Sequence, residues 1–331
     1  MKYKKTFVIN CGHILGLTAI LYIPIGILAS NGLAPLFVSA SVLCLGLKIW
    51  ENPTFPWIPG PIVYALLILV SWSLVSWCWS ISPNETLKTS LSLAATFLGG
   101  TVLYNIGASL KPREVLTLQN GIILGGALGF LLIAFEFATD AWLNRFLFQI
   151  LAFIKDPSIV LIRPFSSFHF TINGICTTKM NAGMAATALY FFPWTIAIKD
   201  RFSLKIFISA TLVGAALIFL AEADAVKLSF AVAVVAMLAA LAWPRWIPRI
   251  MCIAITIGVL AAPLIPGLLP NPLVSNKNLE WFSASSAHRI LIWKNSVVHI
   301  KQFPILGSGL DTSRGLYSTK DRVDYHFPKE V

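Results

Sequence analysis

The chain has 331 residues, of which 57% are hydrophobic and 12% charged, with a formal net charge of +11 and a pI near 9.6. Soluble domains carry about 25% charged residues, so this balance excludes an ordinary soluble enzyme. The basic residues sit in loops between apolar runs, which fits membrane topology better than nucleic-acid binding; no nucleic acid is expected as a partner.

Apolar runs long enough to cross a hydrocarbon core of about 30 Å recur along the chain. The first follows "MKYKKTFVIN" and extends from Ile14 to Ala29. It resembles a signal peptide with a basic start, but it is long for such a segment and further spans follow at once, so an uncleaved helix over 7–29 is predicted. Further spans are read at 33–50, 61–79, 86–107, 115–138, 181–198, 204–222, 225–243 and 248–266, nine in all. The predicted fold class is all-α: a polytopic transmembrane helical bundle in contact with membrane lipids.

Alternate loops carry the positive charge: Lys2, Lys4 and Lys5, then Lys48, then Lys111 and Arg113, then Lys199, Arg201 and Lys205, then Arg245 and Arg249. The loops between them carry almost none, with Lys88 and Lys227 near helix ends. The positive-inside rule therefore predicts a cytoplasmic N-terminus, and nine crossings leave everything after Pro266 on the outer side. The organisation expected is a bundle over 1–266 with an outer-face loop at 139–180, and a large outer loop over 267–331. Long loops at a membrane face commonly carry chemistry. Within the first loop, Trp142, Phe146, Ile150 and Phe153 share one helical face, which suits either an interfacial helix or a buried re-entrant segment.

Cys11, Cys44, Cys78 and Cys252 lie in apolar runs and Cys176 in a loop, with no metal-type spacing, so no zinc site or disulfide framework is indicated and no cofactor is expected. The signatures of soluble enzymes, such as a P-loop or G-x-S-x-G, are missing from the sequence. "LGSGLDTSRG", Leu306 to Gly315, has G-x-G without a preceding strand and reads as a flexible turn presenting Arg314. The outer-face arginines are Arg145, Arg163, Arg289, Arg314 and Arg322. A guanidinium suits bidentate recognition of phosphate oxygens, and under a bilayer the natural anion is a lipid phosphate or diphosphate. A single such arginine can equally be solvated or pair with Asp140, Glu280 or Asp311.

In "SASSAHRILIWKNS", Arg289 and Trp293 are i and i+4 neighbours on a predicted helix, so the indole can pack against the guanidinium stem. His288 points elsewhere and reads first as a surface or capping group, second as a base for a sugar hydroxyl. His299 and His326 are weaker candidates, and Glu136, Glu222 and Asp224 stand near outer helix ends.

The many helices, "AHRILIWKNSVVHIKQFPILGSGLDTSRG" in a large loop after the ninth helix, and the upstream "RPFSSFHFTINGICTTKMNAGMAATALYFFPW" together resemble the O-antigen ligase and polymerase family. The resemblance implies a GT-C-like membrane enzyme of the bacterial inner membrane. Such an enzyme transfers a glycan from undecaprenyl diphosphate to lipid A-core on the periplasmic face, without a metal. It implies that Arg289 and Arg314 hold the diphosphate and that a loop histidine, here His288, activates the acceptor hydroxyl with Arg289 beside it; Arg163 is the candidate to substitute for a missing diphosphate-binding arginine, and Trp293 and Asn181 are read as supporting residues.

Two departures stand out. Ligase-type members usually have Asn-Arg-Gly where this chain has Asn181, Ala182 and Gly183, so a diphosphate-binding arginine is replaced by Ala182. The family loop also continues to a His-Asn motif and about three more helices, whereas this sequence ends at "YHFPKEV"; the resemblance implies a C-terminally incomplete chain, truncated or a remnant, with weakened or no turnover. The competing readings are a polymerase of the same family, a transporter or flippase for lipid-linked glycans, and an inactive structural subunit. Transporters place ionisable groups near the midplane, whereas these helix interiors are nearly free of charge.

Overall fold

The computed structural model of the chain describes residues 10–51, 60–139, 141–155, 175–221, 223–269, 284–303 and 306–312. Every regular element among them is helical: α1 (Cys11–Leu28), α2 (Leu33–Glu51), α3 (Pro61–Val75), α4 (Pro83–Ala108), α5 (Pro112–Ala138), α6 (Trp142–Lys155), α7 (Ile175–Arg201), α8 (Leu204–Leu220), α9 (Asp224–Ala242), α10 (Ile247–Ala261), the short α11 (Ile265–Leu268) and α12 (Ala284–Gln302). Each of the nine expected spans overlaps one of these helices, although 61–79 runs past the end of α3 at Val75 and 248–266 past the end of α10 at Ala261.

Among the described residues, five helices are long and apolar enough to cross a membrane: Cys11–Leu28, Ser30–Glu51, Pro83–Ala108, Pro112–Ala138 and Asp224–Ala242. Val63–Trp79, Leu204–Leu220 and Ile247–Ala261 are shorter apolar helices. The span expected at 181–198 lies inside α7, which starts at Ile175, so Cys176 is helical and not in a loop. Its first turns, "ICTTKMN", are polar and gave no hydropathy signal. Apolar side chains cover the outside of several helices. All of α10 is without a buried residue, and Ile253, Ile255, Ile257 and Leu260 are each at least half exposed. In water such a surface would be untenable; in a bilayer it is the face that meets lipid.

By its contacts the chain groups into two units, Met1–Ile58 with Leu98–Met237, and Pro59–Phe97 with Leu238–Val331. In the first, α1 packs along α5 and both pack against α7. Small residues make this possible. A Cβ on Gly121 would fall on the backbone of Gly16, and one on Gly129 would lie 2.5 Å from Ile23 Cβ, so the α1 and α5 backbones approach as only glycine allows. Tyr190 and Trp194 of α7 fill the remaining space: the Tyr190 hydroxyl lies 2.9 Å from Ala19 O and 3.1 Å from Ile122 O, and Trp194 Nε1 donates to Ile123 O at 3.2 Å. Phe130, Phe191 and Phe230 pack edge-to-face beside them. The first turn of α1 is closed reciprocally, with His13 N–H donating to Asn10 Oδ1 at 3.1 Å and Asn10 N–H to His13 Nδ1 at 3.4 Å.

In the second unit, α3 ends in a 3-10 turn at Ser76–Trp79 and the chain re-enters α4 at Pro83. Buried hydroxyls line this corner, each with a partner: Ser76 Oγ donates to Ser73 O at 2.7 Å and Ser90 Oγ to the same carbonyl at 3.0 Å.

The glycine-mediated contact is testable. Gly125→Val puts a branched side chain against Ala19 O and the Tyr190 hydroxyl and should cost about 1–3 kcal/mol through overpacking. Gly46→Ala, with nothing within 4 Å of the added carbon, should be neutral or slightly stabilising. Melting curves in detergent check this; equal melting temperatures for the two variants would show that the close approach contributes nothing.

Candidate functional site

Arg289 lies on α12, exposed, one residue before Ile290, which is 3% exposed and anchors the helix. α12 packs against the short α11. Trp293 stands one turn on and is 47% exposed. The expected packing of its indole on the guanidinium is not among the contacts of the described residues; the cation–π contact there is Arg249 over Trp246, at 5.8 Å. Arg289 and Trp293 thus share a helix side as spacing predicted, and the arginine is exposed with no partner among the described residues. The backbones of His288 and His299 lie in α12, and their side chains fall outside the described residues.

The glycine-rich turn is held, not loose. Gly307, Gly309 and Asp311 have φ of 67°, 105° and 57°, values that favour glycine and are tolerated by aspartate. The turn is seated on the corner between α3 and α4. Trp79 Nε1 donates to Leu306 O at 3.1 Å, Ile81 N–H to Ser308 O at 3.1 Å, Thr86 Oγ1 to Leu310 O at 2.8 Å and Thr89 Oγ1 to Asp311 Oδ2 at 3.0 Å. Within the turn, Thr312 Oγ1 donates to Gly309 O at 3.0 Å. Asp311 is therefore engaged by a hydroxyl from the bundle. Beside the seat, Trp72 packs edge-on to Trp79 and, with Tyr64, Leu67, Ile68 and Val75, lines an open apolar groove of about 420 Å³.

A second polar construction joins α5 to α6. Glu136, 1% exposed, accepts from Leu143 N–H at 3.1 Å, Asn144 N–H at 3.2 Å and Asn144 Nδ2 at 2.6 Å. A carboxylate at a helix start satisfies otherwise orphaned donors and meets the positive end of the dipole. Arg145 Nη2 donates to Thr139 O at 3.3 Å, so this arginine is tied into the same turn. Trp142 stacks on Phe146 at 5.4 Å, and these two with Ile150 are 44%, 41% and 41% exposed. That open apolar face fits an interfacial helix; a re-entrant segment buried in protein would cover it. Phe153 lies in α6 with its side chain outside the described residues.

Of the other sequence candidates, Arg163, Arg314, Arg322, His326, Glu222, Asp140 and Glu280 lie outside the described residues. Asn181 and Ala182 lie in α7, with side chains likewise outside them, and Gly183 packs directly on Gly26. Asp224 pairs with Lys227 at 3.2 Å at the exposed start of α9. Sequence reasoning missed the receiving side of the turn, Trp79, Thr86 and Thr89; its signal was the run "WSISPNETLKTS" between two spans, dense in hydroxyls beyond what a short loop needs. It also left Glu136 at second rank, where the structure makes it a helix cap.

Long apolar helices, lipid-facing surfaces and a glycine-rich turn seated on one end of a helix pair define a polytopic helical membrane protein. Residues 209–329, which include that turn and Arg289, match the family model described as O-antigen ligase. The match supports an O-antigen ligase/polymerase family and ligase-like function in general, as the loop motifs had suggested. No curated protein and no solved structure matches the chain.

Glu136→Ala leaves two backbone N–H groups and the Asn144 amide short of their acceptor and should destabilise the α5–α6 junction by about 1–3 kcal/mol. Limited proteolysis in vesicles should then cut within 141–155 faster, while Glu136→Gln, which keeps one acceptor oxygen, should be intermediate. Unchanged cleavage would remove Glu136 as the cap that orders α6.

Proposed function

We propose that the chain is a glycosyltransferase component of the inner membrane that acts at its periplasmic face, moving a glycan from undecaprenyl diphosphate to lipid A-core as an O-antigen ligase. The observation that carries this is the family match over 209–329, which spans the arginine helix and the seated turn together. The topology agrees with it. Counting crossings puts the corner at 80–85 and the loop after 266 on the same outer side, and the hydrogen bonds from Trp79, Ile81 and Thr86 to residues 306–310 join those two segments.

The chemistry follows from the charges. An acceptor hydroxyl oxygen attacks the anomeric carbon; the bond from that carbon to the diphosphate oxygen breaks, undecaprenyl diphosphate departs, and the hydroxyl proton passes to a base. Negative charge grows on the leaving diphosphate, so arginines placed there stabilise the transition state more than the ground state. Arg289, exposed and uncommitted to a partner among the described residues, is the residue assigned this role first, and Arg163 and Arg314 are assigned it next from the sequence. His288 is assigned the proton, and Trp293 and Asn181 support the site. Ala182 stands where a further arginine would add a charge-assisted contact. A polymerase would use the same donor with a second lipid-linked glycan as acceptor, and a flippase would transfer nothing.

The test is transfer of a labelled undecaprenyl-diphosphate glycan to lipid A-core in vesicles carrying the chain. Arg289→Ala should lower transfer roughly 100-fold, and Ala182→Arg should raise it, since one charge-assisted contact is worth about 2–5 kcal/mol. Transfer indifferent to Arg289→Ala would refute the assigned clamp, and transfer to a second carrier-linked glycan in place of lipid A-core would make the chain a polymerase.

A further inference from the structure

We infer that the turn between α9 and α10 is a headgroup site for an anionic phospholipid, in which Arg245 and Arg249 hold the phosphate while Trp243 and Trp246 anchor the turn at the depth where that phosphate lies. The inference does not rest on the function proposed above, since neither the arginine helix nor the glycine-rich turn enters it.

The depth of the turn follows from its flanks. α9 is apolar and long enough to cross a membrane, and α10 is an apolar helix without a buried residue. Leu241 on one side and Ile250 on the other are both exposed. Side chains of that kind need hydrocarbon, so the residues between the helices, Trp243 to Trp246, stand where hydrocarbon gives way to headgroups. Trp243 and Trp246 are 61% and 64% exposed, and an indole, with its apolar body and single N–H, suits that boundary. The backbone there is fixed. Trp243 O accepts from Trp246 N–H at 3.2 Å and from Ile247 N–H at 3.1 Å, Ile250 N–H donates to Trp246 O at 2.9 Å, and Pro244 and Pro248 preset their own φ.

The charges of this turn are not balanced by the protein. The sequence has no aspartate or glutamate between Asp224 and Glu280, and Asp224, at the far end of α9, is taken by Lys227. Arg245 and Arg249 are exposed, and neither forms an ion pair among the described residues. Trp246 has helical backbone angles, φ −92° and ψ −43°, so the two arginines stand about one helical turn apart, a spacing at which like charges repel. An anion between them removes that repulsion. Arg249 Cζ lies 5.8 Å from the centre of the Trp246 ring. This contact draws the guanidinium toward the indole instead of out into water, and a guanidinium set against an aromatic face keeps its in-plane N–H donors for oxygen. The anion a bilayer offers at that depth is a phosphodiester, whose free oxygens match a pair of guanidinium forks.

The experiment places the full chain in nanodiscs of phosphatidylcholine with a minority of phosphatidylglycerol and counts, by native mass spectrometry, which lipid stays bound on release. The unaltered chain should retain phosphatidylglycerol in preference to phosphatidylcholine. Each arginine near an anionic surface contributes roughly fivefold in affinity, so Arg245→Gln combined with Arg249→Gln should lower the preference about tenfold or more. Trp246→Leu should lower it severalfold, and Arg249→Lys should keep only part of it, because an ammonium lacks the planar fork. These two variants retain the charge of the turn, and with it the signal for orientation, should the double variant insert poorly. Lys205→Gln removes one charge from a different loop and should leave the preference as it was. An unaltered chain that retains both lipids alike, a preference that survives the double substitution, or one lost equally to Lys205→Gln would overturn the inference. Displacement of the bound lipid by inorganic phosphate would overturn it too, by making the turn a site for the free anion.

Discussion

Hydrocarbon offers no hydrogen bonds, and the rest of the structure depends on that constraint. A polar group inside the bilayer must find its partner within the chain. Hydroxyls in the spans mostly do so locally: Thr18 donates to Ile14 O, Ser41 to Phe37 O and Thr211 to Phe207 O, each one turn back along its helix. The larger polar groups cross between helices. Tyr190 and Trp194 reach backbone carbonyls on α1 and α5, and they can do so because the glycines of those helices leave room for the rings. Close packing and polar satisfaction are thus one arrangement: without Gly125 and Gly126, neither ring would reach its acceptor.

The same constraint sorts the chain's charges. Among the described residues, the buried charged groups are Lys48, Glu114 and Glu136, and each lies near a helix end. Lys48 meets Glu51 at 3.5 Å, the Glu114 carboxylate accepts from Lys111 N–H at 2.8 Å, and Glu136 caps α6. These are structural uses, complete within the protein. Arg289, on an exposed turn of α12, has no such engagement among the described residues. A charge with a finished set of partners holds the fold; a charge without one is available to a substrate.

The helices were legible in the sequence because hydropathy over a span is a strong, additive signal. It failed where a helix leaves the apolar stretch: α7 starts at Ile175, through Thr177, Thr178 and Lys179, because helix propagation and packing continue after the hydrophobic signal has stopped. The shared side of Arg289 and Trp293 was legible from spacing, but their contact was not, since spacing fixes where two side chains start and not which rotamers they take. The seat of the glycine-rich turn was invisible for another reason. Thr86 and Leu310 are far apart in sequence, and nothing local in either segment names the other. What the sequence did contain was half of each partner: a turn rich in glycine, and a corner rich in hydroxyls.

That pairing bears on why a ligase-like reading outranks a transporter. A transporter must let its central elements move past one another, and its ionisable groups sit where the substrate crosses. Here the spans are filled by apolar side chains and the hydroxyls are spent on internal carbonyls, while the corner at Trp79–Thr89 holds a turn of the loop at one end of a helix pair. Metal-free transfer from a diphosphate carrier requires several cations to converge on one leaving group, and flexible side chains converge only if the segments carrying them are fixed. A seat built from Trp79, Thr86 and Thr89 supplies such fixation for the glycine-rich turn at 306–312. It gives the bundle a reason to carry buried hydroxyls at this corner, which passage through its centre would not.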